Sequence, residues 1–282
     1  MVDVLDMLVV VLTPVAFYVV CAGVPWWLGE RRRRARGGAA CWRSPLGVGA
    51  GLVLHLVPFL AGGAAGILVM RLGGGDPAAL FADQRLGPVG QRALLLGTIA
   101  GGLAGILAVG VAYLGRGAGR VAAGLAPARG GAIVRPALLA SVALMVLAIG
   151  YNVVFERLVG RPPAPVAESL VDLARGGSAW PWLPIVVLSV VVVAPLMEEL
   201  VYRGVIYRAF RDRAGTGVGI AASSLLFALG HGQLDTLVVL WLFGAVLAWL
   251  YERSGSLLVP IVTHAAYNCA ALVADLARSG GG

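Results

Sequence analysis

The chain has 282 residues, 59% of them hydrophobic and only 13% charged, about half the charged share of a soluble domain. So little polar surface excludes a water-soluble globule. The formal net charge is +8 and every basic residue is arginine. These arginines sit between apolar runs, so the partner they indicate is the lipid headgroup layer and not a nucleic acid.

Eight stretches contain no Asp, Glu, Lys or Arg: Met7–Leu28, Pro45–Met70, Ala93–Leu114, Pro136–Phe155, Trp180–Met197, Ala214–Leu234, Thr236–Tyr251 and Ser254–Ala274. A spanning helix needs about 20 apolar residues, and the ten-residue alternation of a membrane barrel is missing. The expected fold is an all-α membrane protein, a polytopic bundle of about eight transmembrane helices. Residues 1–160 hold four spans, 161–179 a polar connection, and 180–275 four more. Within the connection, Ala167–Ala174 reads equally as a short interfacial helix or as plain linker.

The first span does not read as a cleaved signal. Asp3 and Asp6 lead it and Arg31, Arg32, Arg33, Arg34 and Arg36 trail it, the reverse of a secretory leader. Placing the Arg31–Arg43 side in the cytoplasm puts 15 of the 22 arginines on inside loops, so both chain ends are expected outside. The arginine-only basicity suggests a bacterial plasma membrane. Cys21, Cys41 and Cys269 are far apart and form no CxxC, so no disulfide framework is expected. Cys21 and Cys269 are expected to pack within apolar runs, and His55 as a structural histidine. The pairs Gly47/Gly51, Gly62/Gly66 and Gly101/Gly105 have the spacing that lets helices approach closely.

From Trp180 onward, polar residues interrupt the apolar pattern. Glu198 and Glu199 follow the apolar run Ile185–Met197. A charge at the centre of a span costs about 2.5–3.5 kcal/mol on insertion scales, so two adjacent acids either end a helix or serve a function. Glu199 and Arg203 are four apart, the spacing of an ion pair on one helical face. Glu198 has no such partner and is expected to point at the chemistry. Pro195, one turn earlier, removes a backbone donor and is expected to bend the helix. Phe227 and His231 are four apart on the next span; His264 and Asn268 are four apart on the last.

Glu198, His231, His264 and Asn268 are costly in hydrocarbon one by one. They are best satisfied by facing one another around a wet cavity. A carboxylate beside an imidazole can deprotonate a water. A second imidazole and a carboxamide can donate to a developing oxyanion. The set fits attack of water on an amide or ester carbonyl. No HExxH occurs, but Glu198, His231 and His264 are also a donor set for zinc with an open position, and the residues alone leave that alternative open.

At these residues the chain resembles the CPBP family of intramembrane proteases, the CAAX prenyl endopeptidase and bacteriocin-processing group. The family motifs EExxxR, FxxxH and HxxxN/D read here as Glu198-Glu199-Leu-Val-Tyr-Arg203, Phe227-Ala-Leu-Gly-His231 and His264-Ala-Ala-Tyr-Asn268. The resemblance covers about Trp180–Ala274. It implies an intramembrane endopeptidase acting on a peptide or membrane-associated protein. It also implies Glu198 and His231 as the water-activating pair, His264 and Asn268 as oxyanion donors, and Glu199, Arg203 and Phe227 in support. The family is described both as metalloprotease and as glutamic protease. The metal-free route is preferred, with no cofactor required, because Asn268 is a better oxyanion donor than metal ligand.

Two other functions compete: a non-catalytic immunity or adaptor protein of the same fold, and a transporter. Inverted repeats would mark the latter, and the polar set lies wholly in the second half. One expectation conflicts internally. Counted from Arg208, Glu198 lies about 15 Å deep, whereas His231 lies about 25 Å beyond Ala214 at 1.5 Å per residue. A later start of the sixth span near Val218, or a tilt, is needed to reconcile them.

Overall fold

The computed structural model describes residues 44, 46–81, 86–116, 125, 130–163, 168–175 and 182–278. The expected first span, the Arg31–Arg43 cluster, Cys21 and Cys41 lie outside the described residues. Within them the chain forms helices α1 (Val48–Leu72), α2 (Pro88–Leu114), α3 (Gly130–Val159), α4 (Glu168–Arg175), α5 (Leu183–Ala214), α6 (Thr216–Gly230), α7 (Leu237–Ser254) and α8 (Leu258–Arg278). No strand occurs among the described residues. Six of these helices, α1, α2, α3, α5, α7 and α8, are long and apolar enough to cross a membrane. Their outer faces present Leu60, Leu107, Leu139 and Val146, each more than 60% exposed, an arrangement that suits lipid and not water. The chain is an all-α, multi-pass integral membrane protein.

Glycines set the spacing of the first layer. Helix α2 carries one glycine pair toward α1 and another toward α5. A Cβ on Gly101 would sit 2.3 Å from the Pro58 carbonyl oxygen, and one on Gly97 2.7 Å from that of Gly62. A Cβ on Gly102 would meet Val193, and one on Gly105 Met197, both on α5. Without a hydrophobic drive between helices in lipid, such backbone contact supplies the packing energy. Gly101→Leu is expected to wedge α1 from α2 and cost about 1–3 kcal/mol, read as a lower unfolding temperature of the detergent-solubilised protein.

Helix α5 is the axis of the bundle. Every residue from Glu199 to Phe210 is buried, and a helix covered on all sides lies at the centre of its bundle. Val201, Val205, Ile206, Tyr207 and Phe210 meet Leu226, Phe227, Phe243, Leu247 and Leu257 in one apolar core. Two stretches of α5, Leu188–Val193 and Glu199–Tyr207, are wound as π-helix, a form that concentrates at functional sites.

The second half is built from two hairpins. Helices α5 and α6 turn at Gly215 (φ 91°), and α7 and α8 at Gly255 (φ 66°), backbone that glycine adopts without steric cost. At the opposite end Arg161 pairs with Asp235 at 2.6 Å, which puts the end of α3 beside the α6–α7 link. The Asp235 carboxylate raises the Arg161 pKa above its usual value by hydrogen bond and charge. Between the halves, α4 lays Leu170, Val171 and Leu173 against Leu95 of α2, Val186 of α5 and Leu272 of α8.

Three expectations shift. The fifth span does not stop at Met197 but continues to Ala214, because Arg203, Arg208 and Arg211 find partners inside the bundle. The sixth is helical only over Thr216–Gly230, ended by Gly232 at φ 70°. Cys269 is exposed on α8 and not packed within.

Candidate functional site

The extension of α5 removes the depth conflict. Glu199 lies 16 residues before Gly215 and His231 16 residues after it, so both sit about 24 Å from the hairpin turn at 1.5 Å per residue. The acids lie in the middle of α5 and not at its end.

Glu199 is fully buried and is held from two sides. Its Oε1 accepts from Arg203 Nη1 at 2.7 Å and from His264 Nδ1 at 3.0 Å. Arg203, also fully buried, donates from Nη2 to the Gly244 carbonyl at 3.0 Å and stacks its guanidinium 4.7 Å from the centre of the Phe227 ring. Three helices are thereby tied at one point: α5 through the pair, α7 through Gly244 and α8 through His264.

Glu198 occupies the neighbouring face. Its side chain is 17% exposed, and Oε2 lies 3.8 Å from His264 Nε2. That oxygen is itself buried and makes no hydrogen bond among the described residues. The gap is too long for a hydrogen bond. His264, 4% exposed, therefore stands between the two acids, with Nδ1 on Glu199 and Nε2 toward Glu198.

His231 ends α6 and is linked to the cluster through Phe227. Its ring lies 4.7 Å from the Phe227 ring, which lies 5.9 Å from that of His264. His231 Nδ1 is 2.9 Å from the Phe227 carbonyl. A carbonyl oxygen only accepts, so Nδ1 carries the proton and Nε2 of the neutral ring presents a lone pair.

Asn268 donates from Nδ2 to the Val190 carbonyl at 2.9 Å. The reason lies in α5. In the π stretch Ala194 N–H bonds the Ser189 carbonyl, an i→i−5 pattern that would assign Val190 to residue 195. That residue is proline and has no N–H, so the Asn268 amide supplies the missing donor. Asn268→Ala is expected to cost about 1–3 kcal/mol by orphaning this carbonyl. In a Pro195→Ala background the cost is expected to shrink; a double-mutant cycle of unfolding free energies measures the difference.

His55, expected as a structural histidine, is buried at 3% exposure on α1 between Phe59 and Tyr202, with ring centroids 4.9 and 5.1 Å away. Tyr202 in turn packs on Phe227 at 5.3 Å. A Cβ on Gly230 would lie 2.5 Å from the Tyr202 hydroxyl and 3.3 Å from His55 Cε1. Helix α1 therefore walls the site beside His231, a contribution from the first half that no motif spacing revealed. Among the described residues no three His, Cys, Asp or Glu groups are gathered as a metal site.

Residues 180–270 match the family described as type II CAAX prenyl endopeptidase Rce1-like. An uncharacterized 24.3 kDa protein of Escherichia coli is 33% identical over 42% of this chain and 56% of its own length. The membrane-embedded CAAX protease MroQ of Staphylococcus aureus is 29% identical over 47% of this chain and 54% of its own. The putative membrane peptidase YdiL of Bacillus subtilis is 27% identical over 33% of this chain and 38% of its own. The similarity thus spans about half the length, or less, of these relatives. No solved structure matches the chain.

Proposed function

We propose that the chain is an intramembrane endopeptidase that hydrolyses a peptide bond with a water activated by Glu198 and His231. The observation that carries this reading is the Glu198 carboxylate: mid-helix, one oxygen buried without a hydrogen bond among the described residues, and 3.8 Å from His264. A carboxylate so placed is unfavourable for stability, and a bound water that attacks a carbonyl gives it a use.

In this reading Glu198 holds the water and takes its proton as the oxygen attacks the carbonyl carbon. The unprotonated Nε2 of His231 accepts a hydrogen bond from the same water. The carbonyl becomes an oxyanion, which receives hydrogen bonds from His264 Nε2–H and from Asn268. Glu199 holds the ring from Nδ1. The Asn268 amide has two N–H groups, one on Val190 and one left for the oxyanion. Collapse of the tetrahedral species breaks the C–N bond, and the proton held by Glu198 passes to the leaving amine. Glu199 and Arg203 touch no substrate; they position His264.

The metal-free route is preferred because Asn268 is a better oxyanion donor than metal ligand. The substrate is a peptide or membrane-associated protein. The N-terminus is placed outside, by the arginine bias. The test is cleavage of membrane peptides by the purified full chain, compared with Glu198→Ala and His231→Ala. Both variants should fold and neither should cleave, whereas wild-type cleavage should persist after chelator treatment that metal analysis shows to be complete. A Glu198→Ala protein that still cleaves refutes the assignment.

A further inference from the structure

A second polar cavity lies at the hairpin end of the bundle, ten residues or about 15 Å along α5 from Glu198. It encloses about 260 Å³ between the end of α5 and the α7–α8 turn, and is lined by Tyr207, Arg208, Arg211, Tyr251, Glu252 and Arg253. Three guanidiniums face one carboxylate, so the lining is net positive. Glu252 is fully engaged: it accepts from the Tyr207 hydroxyl at 2.7 Å, from Arg211 Nε at 3.2 Å and from Thr216 Oγ1 at 3.4 Å. Arg208 is 4% exposed, an unusual burial for a guanidinium. Tyr251 is 4% exposed, yet its hydroxyl has no hydrogen-bond partner among the described residues. A buried phenol without a partner costs about 1–3 kcal/mol.

We propose that this cavity is a phosphate-binding site, taking the phosphodiester of an anionic lipid headgroup or a free phosphate. The chemistry is set by the lining. Arg253 and Arg208 offer charge and N–H donors, and the Tyr251 hydroxyl donates to a phosphate oxygen and is thereby satisfied. Arginine forks fit phosphate oxygens in pairs. The location favours a lipid source. The cavity lies beside the Gly215 and Gly255 turns, where the spanning helices end and headgroup phosphates lie. Acid–histidine chemistry is not involved, so the site stands or falls independently of the proposed hydrolysis.

The test uses the full chain purified in an uncharged maltoside detergent. Phosphatidylglycerol is added, and separately diacylglycerol, which has the same tails and no phosphate. Inorganic phosphate is compared with chloride at equal ionic strength. Phosphatidylglycerol is expected to raise the unfolding temperature and diacylglycerol to leave it unchanged. Tyr251→Phe removes one oxygen and keeps the ring, so it should fold and be at least as stable as wild type without lipid. It should bind phosphatidylglycerol roughly ten-fold more weakly, as expected for a lost hydrogen bond to a charged group. Arg253→Gln should weaken binding by a similar factor. Equal stabilisation by inorganic phosphate would assign the site to a soluble phosphate; a response to phosphatidylglycerol alone assigns it to lipid. Diacylglycerol matching phosphatidylglycerol, or Tyr251→Phe retaining wild-type affinity, would overturn the proposal.

Discussion

Glu198→Gln is expected to reduce peptide cleavage by about 10²–10⁴-fold, the usual contribution of a positioned general base, while raising the unfolding temperature. The two effects share one cause. Glu198 sits midway along a membrane helix beside a second acid, with one oxygen buried and without a hydrogen bond among the described residues. An amide removes the cost of the buried charge and with it the ability to take a proton. Side-chain volume barely changes, so lost activity cannot be assigned to a collapsed site. Turnover and thermal unfolding, measured on one preparation, separate the possibilities. A Gln variant that is less stable than wild type would mean that the carboxylate is structural, and full turnover would remove it from the chemistry.

Arg203→Ala carries the largest expected loss of stability, about 3–5 kcal/mol for breaking a buried ion pair. Its removal strands the Glu199 carboxylate, frees the Gly244 carbonyl and opens a void against Phe227. Against a total stability of about 5–15 kcal/mol, little folded protein should accumulate, as judged by size-exclusion yield. Arg203→Lys should rescue poorly. A compact ammonium cannot reach Glu199 and Gly244 together while stacking flat on Phe227. Removing both charges, as Glu199→Gln with Arg203→Met, should recover part of the yield, since an uncharged pair leaves nothing stranded. A normal yield from Arg203→Ala would show that the pair does not hold these helices.

How far the sequence could be read differs between the helices and the site. Charge-free runs located the spans, because bilayer thickness imposes a length on them. The Glu199–Arg203 pair was legible because four residues bring two side chains onto one face whatever surrounds them. The end of the fifth span was not. Arg203, Arg208 and Arg211 read locally as a membrane edge, and only their tertiary partners, Gly244, Tyr113 and Glu252, let the helix run on. Depth was misjudged for the same reason, since the count began at Arg208 and not at Gly215. The bond from Asn268 to Val190 was equally hidden: a missing proline N–H is visible in sequence, but its substitute lies 78 residues away. The part played by α1, through His55 and Phe59, left no periodic trace at all.

The widened turns of α5 have a consequence for length rather than composition. Each π stretch spends an extra residue on a turn that a regular α-helix would close with fewer. Deleting one residue within Leu188–Val193 would let ordinary winding resume with the flanks nearly in register, whereas inserting one would swing everything toward Trp182 by about 100°. Val186, now wholly covered, would rotate out of its place against Leu95 and Leu170. The helix is therefore expected to accept exchanges of one apolar side chain for another in this stretch, and to reject an added residue.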